Sequence, residues 1–478
     1  MYPNWILRRA YLTPHRTGLT FENESWTFEQ IKQISIKRTY QLAGLGINHR
    51  QRIAVLGPSK PSLIFIMYAC MHLQCEMVML NRKLSKSELQ YQIEDSQVEM
   101  VLVEDEDAHL LPANTNHLLF SKILESAEEA VEISEEWPSN QTTTIMYTSG
   151  TTGFPKGVRQ TVENHQSSAV SSVLNIGLSH DDVWLCAVPL FHISGFSILV
   201  RSLLYGNEVK LYQKFDQDGA VRDISEGSVT HMSVVAVILG RILQGLEEKQ
   251  LKASPRFKVM LPGGGPVPVN YLERAHKLGL AVCQTYGMTE TSSQTATLSN
   301  ADALRKIGSV GKPLFFNQIK ILDATSPRTE GEILIRGPHV TPGYIGRFAE
   351  RSSTINGWLH TGDIGYFDEE GYLYVVDRRS DLIISGGENV YPAEVENVLM
   401  GHPAVREAGV CGIEHEVWGQ VPVAFVVLKH DVTEEELIAF CKEKLAKYKI
   451  PKQFYVVQAL PRNASNKLMR RKLKELMN

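Results

Sequence analysis

Zinc-site spacing, a disulfide framework and a membrane-length apolar run are all missing from this 478-residue chain. The six cysteines, Cys70, Cys75, Cys186, Cys283, Cys411 and Cys441, form no CxxC pair and no close grouping with histidine. That excludes a cysteine-based zinc site and points to buried thiols in a reducing compartment. The longest apolar run, Leu63 to Met71, falls far short of the about 20 residues that cross a bilayer, and reads as a buried helix. The start MYPNWILRRAYL places its arginines after the apolar residues, so a secretory signal is not expected and a soluble cytoplasmic protein is. Charge excess is lacking too: 49 basic against 53 acidic side chains, a net of −4, excludes a dedicated polyanion binder. No internal repeat or low-complexity tract appears, and 43% hydrophobic with 21% charged residues puts the chain in the globular range.

What is present is alternation. RIAVLG, LIFIMYACMHLQC, EMVMLN, KSELQYQIEDS and EMVLVEDE read as strand, helix, strand, helix, strand from about residue 49. That order suggests βα units around a partly parallel sheet. It returns at DDVWLCAVPL, NEVKLYQKF, VTHMSVVAVILGRIL, FKVMLPGGG and VNYLERAHKLG. The first 370 or so residues are expected to form one large α/β body with subdomains.

The pattern changes over residues 363–391, where two glycine-containing turns separate short strands. A helix starting at Pro392, strands at Ala408–Ile413 and Val421–Leu428, a helix opened by the capping pattern Thr433 to Glu436, and a strand at Phe454–Val457 are expected after it. The domains are placed at 1–378 and 379–478. From Lys442 to Asn478 there are 11 basic and 2 acidic residues, a local +9 that leaves −13 for the rest. On its own this is as readily a solvated helix face. No RNA-recognition motif accompanies it, so nucleic acid is not an expected partner.

The strongest local signal is YTSGTTGFPKG at 147–157, which follows the β-prone TTTIM. Glycines let backbone N–H groups approach a phosphate, hydroxyls add donors, and Lys156 supplies a mobile positive charge. The loop is not GxxxxGK[ST], which disfavours a P-loop NTPase, and no GxSxG elbow supports an acyl-serine route.

Together with QTYGMTE at 284–290, LHTGDIG at 359–365, VDRRSDLIISGGENVYP at 376–392 and PRNASNKL at 461–468, the loop closely resembles the ATP-dependent adenylate-forming enzymes. That family includes acyl-CoA synthetases, luciferase and peptide-synthetase adenylation domains. The resemblance implies an α/β fold: a large multi-subdomain N-terminal body with a small mobile α+β C-terminal domain. It implies ATP, Mg2+ and coenzyme A acting on a small-molecule carboxylic acid through an acyl-AMP, and it leaves homo-oligomerisation open.

Residue by residue, the resemblance assigns nucleotide binding to Thr148, Ser149, Gly150, Thr151, Thr152, Gly153 and Lys156, to Gly263, Gly264 and Gly265, and to Gln284, Thr285, Tyr286, Gly287, Met288 and Thr289. Asp363 and Arg378 would hold the ribose. Thr289 would contact phosphate and Glu290 would hold the metal, although an isolated Glu290 reads more readily as a solvated acid and the three glycines equally as a tight turn. Lys467 would reach the reacting carboxylate and α-phosphate; the glycine expected before it is Asn466 here. Gly387 would face the thiol in the second step, after a swivel at Arg378-Arg379-Ser380, with Ser380 where many relatives carry Asp or Lys.

For the acid, His192, Phe191, Phe196 and Met288 suit a ring-bearing molecule, while Ser293, Gln294 and nearby basic groups could hydrogen-bond a second carboxylate or a keto oxygen. His192 alone reads equally as a satisfied histidine at a strand-to-helix junction. Another aryl- or medium-chain acyl-CoA ligase, or a noncatalytic nucleotide-binding scaffold, are the alternatives.

Overall fold

The computed structural model describes all residues except 149–153, 266, 379–380, 386–387, 416–417, 446, 464–465 and 478, with the side chains of 378, 388 and 389 also outside the description. The expected alternation is present. The strands Arg52–Leu56, Glu76–Met79 and Met100–Val103 alternate with the helices Pro61–His72 and Lys86–Ser96. They pair in parallel, with His117–Leu119 at one edge and Thr142–Thr148 at the other. The strand Lys156–Thr161 then folds back antiparallel on Thr142–Thr148 and closes a six-stranded sheet.

The run from Leu63 is a helix buried on every side, Leu63 through His72. Each large apolar side chain buried this way stabilises the fold by roughly 1.5–3 kcal/mol. A second six-stranded sheet orders Val259–Pro262, His231–Val234, Val183–Cys186, Glu208–Leu211, Thr17–Phe21 and Glu24–Thr27, parallel except for its last pair.

From residue 285 the parallel scheme stops. Thr285–Met288, Ser293–Thr297 and Lys312–Pro313 make a small antiparallel sheet. Gln318–Ile321, Gly331–Arg336, Thr354–Ile355, Trp358–Phe367 and Leu373–Arg378 make another. The helix–strand alternation thus ends with the helix Val269–Lys277, and short strands joined by tight turns, which leave no room for crossover helices, complete the large body.

The sheet after it contains Glu388–Val390, Ile383–Ser385, Gly419–Leu428, Val405–His415 and Phe454–Val456. The helices Pro392–Met400 and Glu434–Lys442 accompany it, and Thr433 and Glu436 form the expected capping box. All six cysteines are unbonded thiols and buried. Among the described residues no helix is long and apolar enough to cross a membrane.

Four histidines are buried as neutral rings. Burial lowers His72, His165 and His339 to about 3 and His231 to about 4. His72, for example, is held between the Asn4 amide and the Ser35 hydroxyl at 3.1 and 3.0 Å. The unfolded chain binds these protons near pH 6.5, so the stability is fully present above that value and is lost as pH falls toward the folded values. At about 1.4 kcal/mol per pH unit per histidine, the melting temperature is expected to drop by roughly 5 °C between pH 7 and 5.5. A flat calorimetric profile over that span would contradict this.

Candidate active site

Several candidate residues follow the carboxyl ends of strands in the two large sheets, where ligands enter open α/β sheets. Thr148 ends Thr142–Thr148, and Gly263 to Gly265 follow Val259–Pro262. His192 caps the helix Ile193–Tyr205, which follows Val183–Cys186. Lys156 stands directly opposite Thr148 in the antiparallel pairing of Lys156–Thr161 with Thr142–Thr148. Ser149, Gly150, Thr151, Thr152, Gly153 and Gly387 lie outside the described residues.

Lys156 sits between aromatic faces, its Nζ 5.6 Å from the Tyr344 ring centre and 5.5 Å from that of Phe348. Burial lowers its pKa, Arg351 adds to the effect, and Glu290 opposes it. Burial and the Glu290 charge push Tyr344 up to about 12. Glu290 thus acts electrostatically on both the lysine and its wall. It lies in the short turn Thr289–Thr291, tethered where Thr341 N–H donates to its carbonyl at 2.8 Å. Among the described residues no three His, Cys, Asp or Glu side chains form a metal cage. A single hard carboxylate suits Mg2+ that arrives already coordinated by nucleotide phosphates.

The hairpin carrying Tyr286 to Gln294 is sharply bent. Gly287 lies opposite Gln294, and a Cβ on it would meet the Ser293 carbonyl oxygen at 1.7 Å, so only glycine fits. Ser292 and Ser293 both have positive φ, +49° and +110°. Tyr286 O–H donates to Asp363 at 2.7 Å, joining two motifs that sequence alone keeps 77 positions apart. Asp363 and Arg378 are direct cross-strand partners, although the Arg378 side chain is outside the description. Thr285 hydrogen-bonds across its own hairpin, to Ala296 and Thr297. Gln284 is buried, and its Nε2 donor has no partner among the described residues.

Lys467 points into this cluster. A Cβ on Gly264, whose φ is +80°, would lie 2.7 Å from Lys467 Cε. Lys467 also helps to hold the pKa of His192 down to about 3, after the larger effect of burial. The loop bearing the lysine is braced: Asn463 Oδ1 accepts from Lys467 N–H at 2.9 Å and Arg462 donates to the Asn466 carbonyl at 2.9 Å. Asn466 has φ +63°, the left-handed conformation that asparagine tolerates best after glycine, which explains how it stands in for the expected glycine. Asn466→Gly is expected to keep acyl-AMP formation within about twofold and Asn466→Ile to lose at least tenfold. Equal rates in pyrophosphate exchange would contradict this.

Of the acid-pocket candidates, Met288, Ser293 and Gln294 share the bent hairpin. Phe196 is fully buried, with its ring 5.1 Å from that of His165. The structure adds a residue that sequence reasoning missed. Arg201, on the helix Ile193–Tyr205, is 2% exposed and donates to Ser293 Oγ and Gln294 Oε1, both at 3.3 Å. Its guanidinium lies 5.0 Å from the Trp184 ring, its Nε has no hydrogen-bond partner, and no carboxylate pairs with it among the described residues. No local sequence signal marks a helix arginine as buried and unneutralised.

Residues 6–345 match the family described as AMP-binding enzyme, and residues 394–467 match the AMP-binding enzyme C-terminal domain. A 2-succinylbenzoate–CoA ligase of Bacillus anthracis (strain A0248) is 47% identical over 481 residues, covering 99% of this chain and 98% of the relative. The o-succinylbenzoate CoA synthetase of Bacillus subtilis in complex with its acyl-adenylate intermediate superposes with a TM-score of 0.92 at 44% identity, over 99% and 98% of the two chains. The same enzyme with ATP and magnesium ion gives 0.92 at 45%, over 99% of each. By sequence and by structure along nearly its whole length, the chain belongs to the AMP-binding enzyme family.

Proposed function

We propose that this chain joins 2-succinylbenzoate to coenzyme A at the expense of ATP, the activation of that acid in menaquinone biosynthesis. The benzoate carboxylate or its succinyl counterpart attacks the α-phosphorus, pyrophosphate leaves, and an acyl-AMP forms. The coenzyme A thiolate then attacks the acyl carbonyl and expels AMP. No protein nucleophile is needed, because the mixed anhydride supplies the leaving group.

Arg201 carries the choice of acid. A buried guanidinium without a carboxylate is costly unless a ligand neutralises it. Beside Ser293 and Gln294 it suits the second carboxylate of a two-carboxylate aromatic acid. Lys156 and Lys467 counter the phosphate charge that develops during adenylation. Glu290, with Thr289 beside it, would hold Mg2+, which shields the phosphates when bound. Gln284, Thr285, Tyr286 and Gly263 to Gly265 would face the nucleotide, with Asp363 and Arg378 at the ribose.

Residues 379–478 act as a lid over the body 1–378, a reading supported by the nearness of Lys467 to Gly264, where a Cβ would lie 2.7 Å from Cε. Gly387 takes the lysine's place for thioester formation. Buried reduced cysteines fit a cytoplasmic enzyme. Pyrophosphate exchange tests the reading: it should depend on 2-succinylbenzoate, and turnover of simple benzoates or fatty acids in its place would favour a different acyl-CoA ligase.

A further inference from the structure

Gln160 lies on the strand Lys156–Thr161, on the same face as Lys156 by the two-residue alternation of a strand. It is fully buried, as is Thr144 across the hairpin, and His165 is 2% exposed. The three side chains form a chain of hydrogen bonds whose direction is fixed at one end. A backbone carbonyl only accepts, so the group 2.8 Å from the Thr289 oxygen is Gln160 Nε2. This turns Gln160 Oε1 toward Thr144, whose hydroxyl donates to it at 2.6 Å. Thr144 has then used its one proton, so the 2.8 Å contact with His165 is donated by the imidazole Nε2–H. Burial keeps that ring neutral, with its pKa down to about 3.

The far end of this chain packs against the buried Phe196, 5.1 Å away between ring centres. Its near end grips the carbonyl that immediately precedes Glu290. The turn has a second tether on the same strand, since Thr341, which donates N–H to the Glu290 carbonyl, also donates its hydroxyl to the Arg159 carbonyl. The Glu290 turn is therefore fastened to the Lys156 strand twice, by Gln160 directly and by Arg159 through Thr341.

We propose that Gln160 is a positioning residue for adenylation, holding the Thr289–Glu290 turn at a set distance from Lys156, with Thr144 and His165 fixing the direction of its amide. This rests on the assignment of Lys156 and Glu290 to magnesium-bound ATP. Removing the amide loosens the carboxylate without touching the nucleotide, so the defect falls on magnesium use and on the first half-reaction.

Full-length Gln160→Met, Thr144→Val and the double variant are compared with Glu290→Gln in acid-dependent pyrophosphate exchange over a Mg2+ titration. Thioester formation from supplied acyl-AMP and the melting temperature are read in parallel. Gln160→Met is expected to raise the Mg2+ concentration for half-maximal exchange about tenfold, the scale of one lost buried hydrogen bond, with thioester formation within about twofold of the parent. Thr144→Val should shift it the same way by less, and the double variant should be no worse than Gln160→Met, since both act through one chain. An unchanged Mg2+ dependence in Gln160→Met, equal losses in both half-reactions, or additive losses would overturn the proposal. Should Gln160→Met fail to fold, Thr144→Val decides by the direction of its shift. If Glu290→Gln itself leaves the Mg2+ dependence unchanged, the underlying assignment fails instead.

Discussion

Lys467→Ala is expected to slow acyl-AMP formation by about 10²–10³-fold while leaving thioester formation from supplied acyl-AMP within about twofold. The asymmetry follows from where the lysine stands. Its stem passes so close to Gly264 that a Cβ there would come within 2.7 Å of Cε, and its charge reaches His192 at the head of the helix Ile193–Tyr205. On the proposed mechanism that is the place for an ammonium that stabilises charge on a carboxylate and an α-phosphate. Once the anhydride exists, this charge has no further task. Gly264→Ala leaves the lysine present but puts a methyl in its path at φ +80°, so it should give the same bias, smaller in size. Single-turnover assays of each half-reaction measure both, and equal losses in the two would contradict the division of labour.

Arg201→Met is expected to raise the KM for 2-succinylbenzoate by about 10²-fold, the scale of a charge-assisted bidentate contact, and to leave simple benzoates unaffected. Stability should move the other way. Replacing a buried guanidinium that no carboxylate among the described residues neutralises with an apolar side chain of similar length removes a desolvation cost, so the melting temperature should hold or rise. A structural arginine would show the reverse, a lower melting temperature with an unchanged preference among acids. Steady-state kinetics on paired substrates, with calorimetry on the same preparations, separates the two.

Local patterns carried much of the fold. RIAVLG, EMVMLN and EMVLVEDE are short β-prone runs, and they form the parallel strands Arg52–Leu56, Glu76–Met79 and Met100–Val103. The capping box at Thr433 and Glu436 depends on residues three apart and was equally visible. The antiparallel sheets between residues 285 and 378 were not, because their pairing is set by long-range register, as when Gly331–Arg336 joins Trp358–Phe367.

The candidate site divides in the same way. The loops proposed to face phosphate are contiguous motifs and could be read in order along the chain. Contacts that act across the fold could not: Arg201 meets Ser293 across 92 positions, and Gln160 meets Thr289 across 129. Asn466 shows a subtler limit. Its identity departs from the expected glycine, but its φ of +63° preserves the backbone shape that glycine would supply.

The most direct test offers the purified chain ATP, Mg2+, coenzyme A and one acid at a time from a panel of 2-succinylbenzoate, simple benzoates and fatty acids, and measures pyrophosphate and CoA thioester together. The account predicts that 2-succinylbenzoate alone turns over efficiently, yielding pyrophosphate and thioester in equal amounts. Turnover of another acid with none of 2-succinylbenzoate would contradict it, and so would the absence of both products across the whole panel.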